Sequence, residues 1–184
     1  VTHDIREAVK LGDRIAILRA GKLVQYDEVM QIINSPANSF VEDLMGSDRA
    51  LKGLELLRVE ESYDPDYFSL NQSEVESVGE ALRRIEDSGQ AFAFVVDDAG
   101  RLAGYVHRHD LEDHSEDAPL TEALKTAESV QTVSTLMEAI TRMVTTGITS
   151  AAVVDKRQKM LGVMRFRDVF PRVEELADDR EKNG

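Results

Sequence analysis

Residues 78–111 align with residues 136–169 without a gap, at a constant offset of 58. Ten positions are identical: Glu80/Glu138, Ala81/Ala139, Arg84/Arg142, Gly89/Gly147, Ala93/Ala151, Val95/Val153, Val96/Val154, Asp97/Asp155, Gly104/Gly162 and Asp110/Asp168. Self-similarity of this kind restricts the chain to one supersecondary unit made twice. Each copy opens on an amphipathic helix. Val78, Ala81, Leu82 and Ile85 in the first copy, and Leu136, Ala139, Ile140 and Met143 in the second, follow i, i+3, i+4, i+7 spacing. Gly89 and Gly147 read as the C-caps. Nearly continuous apolar runs follow at residues 91–96 and 150–154, as strands covered on both faces require. Turns at residues 97–100 and 155–158 lead to returning strands at 102–106 and 160–164. Asp110 and Asp168 then open a closing helix, where a carboxylate is expected to accept backbone amides and complement the dipole.

The string Val-Val-Asp, then apolar-x-Gly, then a helix beginning near an Asp resembles the CBS domain, and the repeat resembles a CBS pair over about residues 64–172. The resemblance implies an α+β fold of two β-α-β-β-α repeats, related by a pseudo-twofold axis with a cleft on each side. A single copy exposes too much apolar sheet to stand alone. Repeat 1 is expected at residues 66–117, repeat 2 at 118–173, and an acidic tail at 174–184.

Residues 1–46 read differently. A helical stretch carries Ile5, Ala8 and Val9. Strands are expected at 14–18 and 22–26 about an Ala20-Gly21 turn. A helix begins near Glu28 and stops at Asn34-Ser35-Pro36, and a last amphipathic segment at 37–45 ends on Gly46. Val1 and Thr2 look like the end of a buried strand. So few strands cannot bury a core by themselves. The ordered string VTHD, EA, GDRIAILRAGKLVQYD and PANSFV resembles the C-terminal end of an ABC-transporter nucleotide-binding domain, nearest to the ATP-binding subunits that import osmoprotectants such as glycine betaine, choline, carnitine and proline betaine. Residues 1–46 are therefore expected to be a remnant of an α/β ATPase domain, joined to the CBS pair by a linker at 47–65. Glu28-Val29 stands where the family often has Thr-Pro, a local change.

That resemblance implies that His3 is the switch histidine, which in an intact ATPase reaches the γ-phosphate of ATP and helps place the hydrolytic water. No G-x-x-x-x-G-K-[ST] loop is present, and no acidic Walker-B strand precedes His3. This chain alone is therefore expected not to hydrolyse ATP, whereas the full-length parent would be a transport ATPase.

Nucleotide-binding CBS pairs start the last helix as Gly-x-apolar-[Ser/Thr]-x-x-Asp, with Asp for the ribose hydroxyls and Ser/Thr for phosphate. Here the strings are Gly104-Tyr105-Val106-His107-Arg108-His109-Asp110 and Gly162-Val163-Met164-Arg165-Phe166-Arg167-Asp168. Both Asp residues are kept, and His107 and Arg165 replace Ser/Thr. On one reading Arg165 and Arg167 grip a phosphate while Asp168 holds a ribose, with Asp110 and His107 their counterparts in repeat 1. On the other, the Asp residues are helix caps and the arginines a solvated face. The resemblance points to an adenine nucleotide or cyclic di-AMP. Residues 107–117 (HRHDLEDHSED) hold three His and five acids. They match no zinc spacing and read as a polar link between the repeats, with no metal assigned.

Composition narrows the partners. The net charge is -13, and -11 of it falls on residues 61–184. Such a surface repels nucleic-acid phosphates and an anionic membrane face. There is no cysteine and no apolar run of membrane-spanning length. No basic-apolar leader opens the chain, so no secretory signal is expected. The resemblance implies a homodimer formed through the CBS pair, transmembrane permease subunits and a substrate-binding protein as partners, and a cytoplasmic location on the inner face of the membrane. Two functions stand: a regulatory module sensing a nucleotide or ionic strength, and a ligand-free dimerisation platform.

Overall fold

The computed structural model describes residues 1–169. The expected acidic tail lies outside them. The first layer runs α1 (Ile5–Leu11), β1 (Arg14–Arg19), β2 (Lys22–Glu28), α2 (Val29–Asn34) and α3 (Ser39–Met45). β1 and β2 form an antiparallel hairpin whose turn uses left-handed Ala20 (φ 50°) and Gly21 (φ 75°). Asn38 caps α3 by accepting from the Val41 amide, and Gly46 (φ 82°) closes it. Val1 and Thr2, expected at the end of a buried strand, are exposed and outside any strand. A strand needs a bonded neighbour, and among the described residues β1 pairs only with β2.

The two repeats follow. Repeat 1 contains β3 (Ser69–Asn71), α5 (Val78–Ser88), β4 (Phe92–Val96), β5 (Leu102–His107) and α6 (Arg108–Glu112). A one-turn helix, α7 (Leu120–Ala123), connects it to repeat 2, which contains β6 (Ser129–Gln131), α8 (Leu136–Thr146), β7 (Ser150–Val154) and β8 (Met160–Arg165), then helical residues 166–169. α5/α8, β4/β7 and β5/β8 repeat at the offset of 58 residue for residue. Ser77 and Thr135 cap the two helices by accepting from the Glu80 and Glu138 amides, and Gly89 and Gly147 end them in the left-handed conformation. In each sheet the first strand runs parallel to the second, and the second antiparallel to the third. The two sheets face one another through Phe94, Ala152, Val154, Met160 and Val163.

Residues 47–65 are packed. They form α4 (Arg49–Leu54) and a 3-10 turn (Val59–Glu61), with Leu54 and Val59 fully buried. Lys52 donates to the Met45 carbonyl and pairs with Asp48, tying the end of α3 to α4. Ile32, Ile33 and Met45 of the first layer share one apolar core with Leu54, Val59 and with Leu136, Ala139 and Met143 of α8. The first layer therefore shares its buried core with repeat 2.

Candidate functional site

A segment leads into each repeat by crossing the other one. Asp64 forms an antiparallel bridge with Val163 on β8, its N–H donating to the Val163 carbonyl and its carbonyl accepting from the Val163 N–H, both at 2.9 Å. Lys125 does the same with Tyr105 on β5, again at 2.9 Å in both directions. Tyr105 and Val163 are repeat partners at the 58-residue offset. The crossings explain Gly104 and Gly162, since these glycines lie directly beneath the lead-in backbone. A Cβ on Gly104 would stand 2.5 Å from the Lys125 carbonyl oxygen and 2.9 Å from Leu124. One on Gly162 would run into the Tyr63 ring and the Asp64 carbonyl oxygen.

Each crossing carries one ion pair. In repeat 2, Arg165 at the end of β8 donates to Asp64 at 2.8 Å and stands 3.6 Å from Asp168. Arg167 is highly exposed and lies 3.6 Å from the same Asp168. In repeat 1, Lys125 Nζ lies 2.7 Å from Asp110. The charges are reversed between the two: the lead-in supplies the acid in repeat 2 and the base in repeat 1.

The expected cap role of Asp110 is not what its side chain does. His107 is the N-cap of α6, its Nδ1 accepting from the His109 amide at 3.3 Å. Asp110 sits in the first turn and gives its carboxylate to Lys125, because the lead-in brings that ammonium within reach. Asp168 likewise faces Arg165 and Arg167. The other histidines are engaged nearby: His114 Nδ1 is 2.8 Å from the Asp110 carbonyl, and His109 lies 3.7 Å from Glu112. Among the described residues no group of three or more His, Cys, Asp or Glu could hold a metal. His3 lies in the first layer and is not among these ion pairs. It is exposed before α1, on a groove shared with Ile5, Leu11, Leu18 and Phe40.

Asp64 and Lys125 were not among the residues the sequence singled out. The gapless alignment begins at residue 78, and the lead-ins are spaced by 61 rather than 58.

The ion pairs set the titration. The Arg165 guanidinium, helped by the Asp66 amide, lowers the Asp64 carboxyl below its ordinary value. Lys125 lowers Asp110, and Asp110 raises Lys125. A lowered carboxylate stabilises the fold above its unfolded pKa, and that contribution is lost as pH falls through the folded pKa. A raised ammonium stabilises below its unfolded pKa, and that contribution is lost as pH rises through the folded pKa. The Asp110–Lys125 pair therefore acts between the ordinary carboxylate and amine ranges. Asp110→Asn is expected to flatten the fall in melting temperature below about pH 4. Thermal melts across that range check it, and an unaltered acid limb would deny the pair this role.

The comparisons with known proteins agree with the repeated fold. A family model described as "CBS domain" matches residues 64–117 and 127–175. The chain is 30% identical over 167 residues to the carnitine transport ATP-binding protein OpuCA of Listeria monocytogenes, covering 89% of this chain and 42% of that protein. It is 28% identical over 167 residues to the glycine betaine/carnitine/choline transport ATP-binding protein OpuCA of Bacillus subtilis, covering 89% and 43%. The chain thus spans under half the length of these relatives. Among solved structures it resembles the CBS domain of a bacterial CNNM/CorC family Mg2+ transporter in complex with ATP, with a TM-score of 0.58 and 15% identity over 70% of this chain and 92% of that one. That likeness speaks to the fold.

Proposed function

The chain belongs to the CBS domain family, and from this we propose that it is the regulatory part of the ATP-binding subunit of an osmoprotectant ABC importer, with the repeat-2 cleft taking an adenine nucleotide or cyclic di-AMP. The observation that carries the ligand reading is the convergence of Arg165 and Asp168, 3.6 Å apart, where β8 passes into its helix. A guanidinium suits a phosphate, and a carboxylate can accept two hydrogen bonds from a cis-diol. The names of the relatives support the importer assignment. On this reading ATP is hydrolysed by the whole subunit with His3 as its switch residue. The permease and the substrate-binding protein are the partners, and the subunit sits at the inner membrane face. No helix among the described residues is long and apolar enough to cross a membrane. Ligand binding, or a change in ionic strength, would shift the balance between two arrangements of a homodimer and so gate transport.

One observation favours the ligand-free dimerisation platform instead: Arg165 is already satisfied by Asp64. Calorimetric titration with ATP, ADP, AMP and cyclic di-AMP, at low and high potassium salt, separates the two. Saturable binding of one nucleotide is expected, weakened about tenfold or more in Arg165→Ala and in Asp168→Ala. Affinity retained in both variants removes the proposed site. No heat with any nucleotide supports the platform.

A further inference from the structure

We infer that Asp64 is a built-in competitor of the ligand's anionic group for Arg165, and so sets the charge selectivity of the repeat-2 cleft. The inference rests on the nucleotide reading above. Arg165 is only a quarter exposed, and its guanidinium donates to the Asp64 carboxylate at 2.8 Å. The group that would take a phosphate is therefore held by a carboxylate of the chain itself. The formal charges of Asp64, Arg165, Arg167 and Asp168 sum to zero. A phosphate arriving there must displace Asp64 or lie beside it, and two like charges in contact repel.

Asp64 is held in place by more than its ion pair. Its backbone is bonded in both directions to Val163, and one carboxylate oxygen accepts from the Asp66 amide at 2.9 Å. The segment before it is bonded to repeat 2 as well. The Val59 amide donates to the Ser134 carbonyl, the Glu60 amide to Thr132, and the Leu136 amide to the Leu57 carbonyl. The competitor is thus fixed to the cleft by the main chain, and its side chain can be altered while the strap stays. In repeat 1 the matching lead-in carries Lys125, an ammonium paired with Asp110, where repeat 2 has the Asp64 carboxylate.

Asp64→Asn removes the charge. The oxygen that accepts from Asp66 is retained, and the bond that held Arg165 is lost. Calorimetry on the whole chain with AMP and with adenosine reads the consequence. AMP affinity is expected to rise about threefold to thirtyfold in Asp64→Asn, from loss of the competing pair and of repulsion. Adenosine affinity is expected to stay unchanged, so the AMP-to-adenosine ratio rises. The gain is expected to vanish when Arg165→Ala is added. Asp64→Ser, which keeps a short polar side chain, is expected to behave like Asp64→Asn and provides a second folded variant, checked by its melt. If AMP binds the wild type but neither variant alters the ratio, or adenosine gains equally, the inference is overturned and the nucleotide reading survives. If AMP binds neither the wild type nor the variants with Arg165 released, both fall.

Discussion

Gly162→Val is expected to lower the melting temperature by about 4–24 °C, from a loss of about 2–6 kcal/mol. Valine is among the residues that strands favour, so propensity predicts no loss at a β8 position. The loss comes from the crossing. A Cβ at residue 162 would stand 2.8 Å from Tyr63 Cε2 and closer still to the Asp64 carbonyl oxygen. Part of that obstruction is backbone, which cannot rotate away. Overpacking of this sort costs about 1–3 kcal/mol. Displacing the lead-in also breaks the two hydrogen bonds to Val163, each worth about 0.5–1.5 kcal/mol. Gly104→Val should behave alike, since Lys125 and Leu124 crowd it in the same way. A differential scanning melt decides the matter. A Gly162→Val protein melting within about 2 °C of wild type would mean that the crossing does not hold repeat 2 together. The same substitution carries Asp64 away from Arg165, so its effect on anion binding is a further readout of the displaced lead-in.

Where sequence reading succeeded, the information was local and periodic. The helix spacing, the glycine caps and the apolar runs placed α5, α8, β4, β7, β5 and β8, because each pattern is imposed by neighbours within about two turns or one strand. Where it fell short, the cause was distance along the chain or a change of spacing. Leu70 of β3 and Val130 of β6 hold matching buried places but are 60 residues apart, so a gapless alignment at 58 passes over them. Asp64 and Lys125 are 61 apart for the same reason. Gly104 and Gly162 were legible as repeated glycines, but their purpose depends on a segment that arrives from elsewhere. The exchange of Asp110 from cap to ion-pair partner depends on Lys125, which no local pattern places beside it.

Leu54→Ala is expected to destabilise the chain by about 2–5 kcal/mol, the range for truncating a fully buried leucine. Leu54 belongs to the stretch that reads as a linker, yet it is 1% exposed. Its helix, α4, packs against α2 of the first layer and against α8 of repeat 2. In a loose connection the same change would stay within about 0.5 kcal/mol. Denaturant unfolding followed by a probe in each part distinguishes the two. A shared core predicts one transition that moves to lower denaturant as a whole, whereas an unmoved midpoint would mean that α4 only tethers. The difference bears on regulation. A tether passes no strain, so events at the repeat-2 cleft could reach the first layer only through a partner. With α4 buried between the two, any shift of α8 or of the strap at residues 57–64 must be taken up by the packing around Leu54, because dense cores rearrange between discrete states rather than deform smoothly. The cleft and the first layer are then mechanically continuous within one chain, and Leu54→Ala should loosen that continuity while leaving Arg165 and Asp168 in place.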